Sequence, residues 1–92
     1  MKIILTDSFK KKYKVLSLVE QKLFKEKLNL LLSYWLEHPS LRIHKLNWKL
    51  NFVFSLSINM NFRALFYKTK ENNELVLEFF SIWNHDIYKK IS

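Results

Sequence analysis

Two hydrophobic periods divide this chain. A short apolar segment, Lys2-Ile3-Ile4-Leu5, comes first and predicts a strand. Thr6, Asp7 and Ser8 follow, all good N-cap residues. Phe9, Tyr13 and Leu16 then recur at spacings of four and three, with Lys10, Lys11, Lys12 and Lys14 mostly outside that stripe. This predicts a first helix, with a break near residues 17–19. A second helix is predicted from Leu23, Phe24, Leu28, Leu31, Leu32 and Trp35, which share one side of a 3.6-residue period, while Lys22, Lys25, Glu26, Lys27 and Asn29 take the other. Glu37-His38-Pro39 ends it, because a residue before proline is pushed out of the α region.

From Leu41 the period becomes two. Phe52, Phe54, Leu56 and Ile58 alternate with Val53, Ser55 and Ser57. Phe62, Ala64 and Phe66 alternate with Arg63, Leu65 and Tyr67. Two strands that share a core face must pair in a register that keeps their apolar sets together. A two-residue turn would set Leu56 against Arg63 and force the arginine into the core. A three-residue loop, Asn59-Met60-Asn61, sets Leu56 against Ala64 and Ser57 against Arg63, and Asn61 can supply a left-handed residue. Residues 69–73 read as a polar turn. Residues 75–82 are apolar on both faces apart from Glu78, as in an interior strand. The order is β-α-α-β-β-β-β: a small α+β domain over residues 1–92, with two helices on one face of a mainly antiparallel, curved sheet.

Composition narrows the functions this order could serve. The formal net charge is +8, with 16 Lys and Arg against 8 Asp and Glu, which attracts polyanions. Nucleic acid, an acidic protein and an anionic membrane surface all fit. Glycine is absent, which excludes Walker and dinucleotide-binding loops. Cysteine is absent, which excludes disulfides and thiol chemistry. The apolar run over residues 28–36 falls short of the roughly 20 residues that span a bilayer. The expected setting is the cytoplasm.

Few residues could carry chemistry. Arg63 lies mid-strand on the face away from the helices and is either an anion binder or an ion-pair partner, with Glu78 one structural option. His44, in Arg42-Ile43-His44-Lys45-Leu46, shares a strand face with Arg42 by alternation. His85 follows the last strand beside Asp86, while His38 at a helix end reads as structural. Three widely separated histidines without a carboxylate cluster do not form a metal site, and no nucleophile elbow is present. Cleaving RNA without a metal requires a base for the 2′-OH, a cation for the phosphorane and an acid for the leaving oxygen. These residue types allow that reaction without demanding it.

Several strings in this frame resemble one family. The segment from His38-Pro39-Ser40 through Leu41-Arg42-Ile43-His44-Lys45-Leu46 is similar to the one that opens the sheet in RelE/ParE-type toxins of bacterial toxin–antitoxin pairs. The run Phe54-Ser55-Leu56-Ser57-Ile58-Asn59-Met60-Asn61-Phe62-Arg63-Ala64-Leu65-Phe66 resembles that family's central hairpin. Ile82-Trp83-Asn84-His85-Asp86-Ile87-Tyr88 resembles its closing motif, and Ser8-Phe9-Lys10 its first helix start. The order and spacing of the strings are more specific than any one of them, and they cover nearly the whole chain.

The resemblance implies a RelE/microbial RNase-like fold and a toxin that cleaves messenger RNA on the ribosome, as a metal-independent endoribonuclease without cofactors. It implies Arg63 at the scissile phosphate, His85 as general acid or base, and His44 where the YafQ-like branch carries a catalytic histidine. Tyr88 would stack on a base, and Arg42, Lys45 and Lys49 would contact backbone phosphates and ribosomal RNA. An acidic antitoxin would cover the basic surface, and no membrane is involved. The ParE branch uses the same fold to inhibit DNA gyrase in plasmid stabilisation, so the target stays open between the two, and a catalytically degenerate RNA- or ribosome-binding member is a further reading. Trp48 and Trp83 stand where the family has small residues, and Ser57 and Asn61 where the YafQ-like branch has a histidine and an aspartate.

Overall fold

The computed structural model describes residues 1–34, 39–46 and 53–84. The elements are β1 (Lys2–Leu5), α1 (Asp7–Lys14), α2 (Leu18–Tyr34), a 3-10 turn (Pro39–Leu41), β2 (His44–Lys45), β3 (Val53–Ser57), β4 (Phe62–Glu71) and β5 (Glu74–Asn84). The five strands form one sheet in the order β1-β5-β4-β3-β2. β1 runs parallel to β5, and the other pairs are antiparallel. This is the α+β arrangement expected from the two periods, with β5 interior between β1 and β4.

The helix starts follow from local hydrogen bonds. The Thr6 hydroxyl accepts from the Phe9 amide at 3.1 Å and caps α1. Ser17 and Glu20 form a reciprocal capping box on α2: the Ser17 amide donates to the Glu20 carboxylate at 2.9 Å, and the Glu20 amide donates to the Ser17 hydroxyl at 3.1 Å. The Gln21 side chain donates to the Tyr13 and Leu16 carbonyls, so the first turn of α2 satisfies the loose end of α1.

Phe9 from α1, Phe24 and Leu31 from α2, and Leu56, Ile58, Ala64, Phe66, Leu77, Phe79 and Ile82 from the sheet make the main core. Its centre is aromatic. Phe9 and Phe24 lie 5.1 Å apart between ring centroids, and Phe66 and Phe79 lie 4.9 Å apart. Such pairs add about 0.5–1.5 kcal/mol each beyond their burial.

Four sequence expectations change. Leu32 is 53% exposed, while Leu31 is fully buried. Leu31 sits seven residues from Phe24 and returns to the same angle, whereas Leu32 lies about 100° further round. Asn61 does not adopt a left-handed conformation. Asn59 shapes that turn instead, its side-chain oxygen accepting from the Asn61 and Phe62 amides at 2.9 and 2.8 Å. The polar turn shrinks to Asn72 and Asn73, with φ of 52° and 66°, because Glu71 still pairs with Glu74. Finally, the far face of the sheet is not simply polar. Leu46, Val53 and Leu65 form a second cluster there, flanked by Tyr67, Phe80 and Trp83. The residues of the expected helix end, 35–38, lie outside the described residues.

The revised α2 stripe separates two neighbouring leucines. Leu31→Ala should lower the unfolding free energy by about 2–5 kcal/mol, while Leu32→Ala should change it by less than about 0.5 kcal/mol. Denaturant titration of both variants checks this, and equal losses would restore Leu32 to the buried stripe.

Candidate nucleic-acid site

The β3–β4 hairpin positions Arg63. Ser57 pairs with Arg63, Leu56 with Ala64 and Ser55 with Leu65, the register that the three-residue loop requires. The Ile58 amide donates to the Phe62 carbonyl at 3.0 Å and closes the turn. Ser57 Oγ donates to the Asn59 carbonyl at 3.1 Å, tying the strand end to the loop. Leu56 and Ala64 lie in the helix-side core, so Arg63 lies on the opposite face, where its cross-strand neighbour on β5 is Trp83. Glu78 is not that neighbour. It pairs with Tyr67, four residues along β4, roughly 13 Å away at strand spacing.

β2 brings His44 to the same face. His44 pairs with Ser55, and Lys45 with Phe54. Phe54 packs against the helix-side core, so Lys45 belongs to the face opposite His44. Standard strand spacing leaves roughly 12 Å between the His44 and Arg63 Cα atoms. A ligand would have to span them for both to act on it. Ser55, between them, is fully buried, and its hydroxyl has no hydrogen-bond partner among the described residues.

Arg42 departs from the strand alternation. Its amide donates to the Pro39 carbonyl at 3.2 Å, and its φ is 46°. For a residue with a long side chain, this left-handed conformation costs about 1–3 kcal/mol. Arg42 lines a cleft of about 380 Å³ together with Lys27, Ser40, Ser57, Asn59, Met60 and Arg63. Three cations, from α2, from the residue after the 3-10 turn and from β4, line it, with no carboxylate among the described lining residues. Arg63 and Arg42 are brought together. His44 stands beside them on the sheet face, and Lys45 stands apart. Lys49, His85, Tyr88 and Trp48 lie outside the described residues.

Two cations were not singled out from sequence. Lys27 falls on the polar side of α2 and reads as solvated, yet its ammonium donates to the Ser40 carbonyl at 2.7 Å at the cleft wall. Lys12 donates to Ser81 Oγ at 2.8 Å, where the register shifts opposite Leu65 and Phe66. No spacing rule marks either residue, because each depends on where a helix meets the sheet. Among the described residues, no group of His, Asp and Glu could hold a metal ion. No helix there is long and apolar enough to cross a membrane.

Ser55→Ala should leave stability unchanged or raise it by up to about 1 kcal/mol, since it removes a buried hydroxyl without a described partner. A loss above 1 kcal/mol by denaturant titration would show that the hydroxyl is satisfied.

Comparison with known proteins places this geometry. No family model matches the sequence, and no curated protein does. Solved structures do match. A YoeB/ParE toxin from Agrobacterium tumefaciens is 20% identical with a TM-score of 0.66, covering 92% of this chain and 99% of its own. YafQ from E. coli is 15% identical with a TM-score of 0.69, covering 95% and 96%. YoeB in the heterotetrameric YoeB–YefM toxin–antitoxin complex from Staphylococcus aureus is 18% identical with a TM-score of 0.62, covering 85% and 91%. TM-scores of 0.62 to 0.69 with near-complete mutual coverage show that this chain shares the fold of the YoeB/ParE and YafQ toxins.

Proposed function

We propose that this chain is the toxin of a toxin–antitoxin pair and acts as a metal-independent endoribonuclease on messenger RNA in the ribosome, in the cytoplasm. The observation that carries this reading is the cleft that Arg63, Arg42 and Lys27 line together, with no carboxylate among its described lining residues. A cation cluster of this kind suits a phosphodiester whose charge grows as the phosphorane forms. Arg63 offers a planar fork to the phosphate oxygens. His44 lies on the same sheet face as a candidate base for the 2′-OH proton. His85 follows β5 in sequence, past Trp83, the cross-strand neighbour of Arg63, and is the candidate acid for the leaving oxygen. Tyr88 would hold a base by stacking, and Lys45 and Lys49 would contact ribosomal RNA.

The solved YoeB–YefM toxin–antitoxin complex supports a protein partner of the same kind. With a net charge of +8, the matching antitoxin is acidic.

Expression of the chain should stop growth, with transcripts cut in a translating extract and cleavage unaffected by a chelator. Arg63→Ala should slow cleavage about 10²–10³-fold, and His85→Ala about 10²–10⁴-fold. Both should relieve the growth arrest. If both variants arrest growth as the parent does, the catalytic assignment fails. Intact transcripts together with a DNA-damage response would instead indicate a gyrase target.

A further inference from the structure

We infer that the corner between α1 and α2 is a docking surface for an acidic, amphipathic segment of the partner protein. The inference rests on the toxin–antitoxin reading above for the partner and goes beyond it in naming the surface that holds it. Six large apolar side chains are exposed among the described residues, and Val15, Leu18 and Val19 are three of them, at 83%, 84% and 69%. Leu16, between them in sequence, is buried in the main core and anchors the corner from inside. The corner is also held rigidly. The Ser17–Glu20 capping box fixes the start of α2. The Gln21 side chain donates to the Tyr13 and Leu16 carbonyls, and the Tyr13 hydroxyl donates to the Gln21 carbonyl at 3.2 Å. A preformed apolar knob loses little freedom on binding, which favours a complex.

Charge defines what fits there. Val15 keeps helical angles, φ −89° and ψ −4°, so exposed Lys11, one turn earlier, shares its face. Lys14, also exposed, directly precedes Val15, and exposed Lys22 lies one turn after Leu18 and Val19. Among the described residues, none of these three lysines forms an ion pair. The Glu20 carboxylate is engaged by the Ser17 amide. An apolar centre with a cationic rim complements an apolar face flanked by Asp and Glu. A second copy of this chain would set the same lysines against each other. An anionic lipid surface favours a long apolar face with aromatic residues, whereas α2 continues outward from the corner with Lys22, Lys25 and Asn29. RNA bases stack on aromatic rings, and the three exposed side chains here are aliphatic. The corner is separate from the cleft: Lys27 lies nine residues beyond Leu18, about 14 Å along α2 and on its opposite side. A partner docked here leaves the cleft open to another ligand.

The test titrates the full chain into a labelled synthetic peptide of Leu and Glu at helical spacing, read by fluorescence anisotropy. A peptide of the same composition in a non-amphipathic order is the control. The parent should bind the amphipathic peptide at least about tenfold more tightly than the control, and Leu18→Ser and Val15→Ser should each weaken that binding about tenfold. Lys22→Gln should weaken it about two- to fivefold and flatten its salt dependence. Leu32→Ser and Lys70→Gln, away from the corner, should match the parent, and every variant should keep the parent unfolding midpoint. Equal binding of the two peptides, or parent-like binding by both Leu18→Ser and Val15→Ser, overturns the docking surface. So does Leu18-dependent binding of phosphatidylglycerol vesicles without a preference between the peptides, which assigns the corner to lipid, and so does Leu18-dependent self-association. Leu18→Ser and Val15→Ser should still arrest growth and cut transcripts as the parent does. If they lose the peptide while Arg63→Ala and His85→Ala cleave normally, the docking surface stands and the catalytic assignment fails. Corner-dependent peptide binding by a chain whose expression leaves growth untouched keeps the surface and overturns the toxin reading.

Discussion

The parity of one short loop governs this molecule. Strand side chains alternate, so a loop one residue shorter would turn every residue of β4 over. Phe66 and Ala64 would leave the helix-side core, and Arg63 would enter it. Three residues between Ile58 and Phe62, held by the Asn59 side chain and the Ser57 hydroxyl, prevent this. The core and the candidate site therefore share one determinant. The same hydrogen bonds that bury Phe66 also carry Arg63 to the face where His44 lies.

A second consequence of that register is that the sheet face opposite the helices is itself partly a core. Leu46, Val53 and Leu65 pack there with Tyr67, Phe80 and Trp83, and the polar groups are set among them. Ser55 and Ser57 are buried as a result. A cation on such a surface faces less water than one on a helix exterior, and its attraction for an anion is stronger for it. Phe9, Phe24, Phe66 and Phe79 on the helix side give the sheet a rigid backing, so the groups on the far face hold their relative positions.

Much of this was legible in the residue pattern, for a physical reason. Periodicity reports which residues share a face, and face-sharing fixed the element order, the Leu56–Ala64 and Ser57–Arg63 pairs and the side of the sheet that Arg63 occupies. What periodicity does not report is where separate elements meet. Lys27 looks like a solvated lysine until the 3-10 turn brings the Ser40 carbonyl to it. Arg42 looks like a strand residue until its left-handed backbone takes it out of the alternation. Leu32 was assigned by hydrophobicity when its angle around α2 placed it outward. The Asn59 turn was misread at Asn61 because a side chain accepting backbone amides can replace a positive φ. Ser17 and Glu20, by contrast, carried a readable capping box that sharpens the break before α2.

The one parallel pairing in the sheet has a consequence for how the molecule is made. β1 precedes the other described strands in the chain, yet its hydrogen-bonding partner is β5, with Lys2 set against Val76. The β3–β4 and β4–β5 hairpins can close from neighbouring residues, but β1 must wait with an unpaired edge until nearly all the described chain has emerged. Long-range closure of this kind comes late and slows folding. α1, which follows β1 directly and packs on β5 through Phe9 and Phe79, waits with it. Lys12 reaches Ser81 only then. Assembly of the described fold thus waits on the pairing of β1 with β5, the strands farthest apart in sequence.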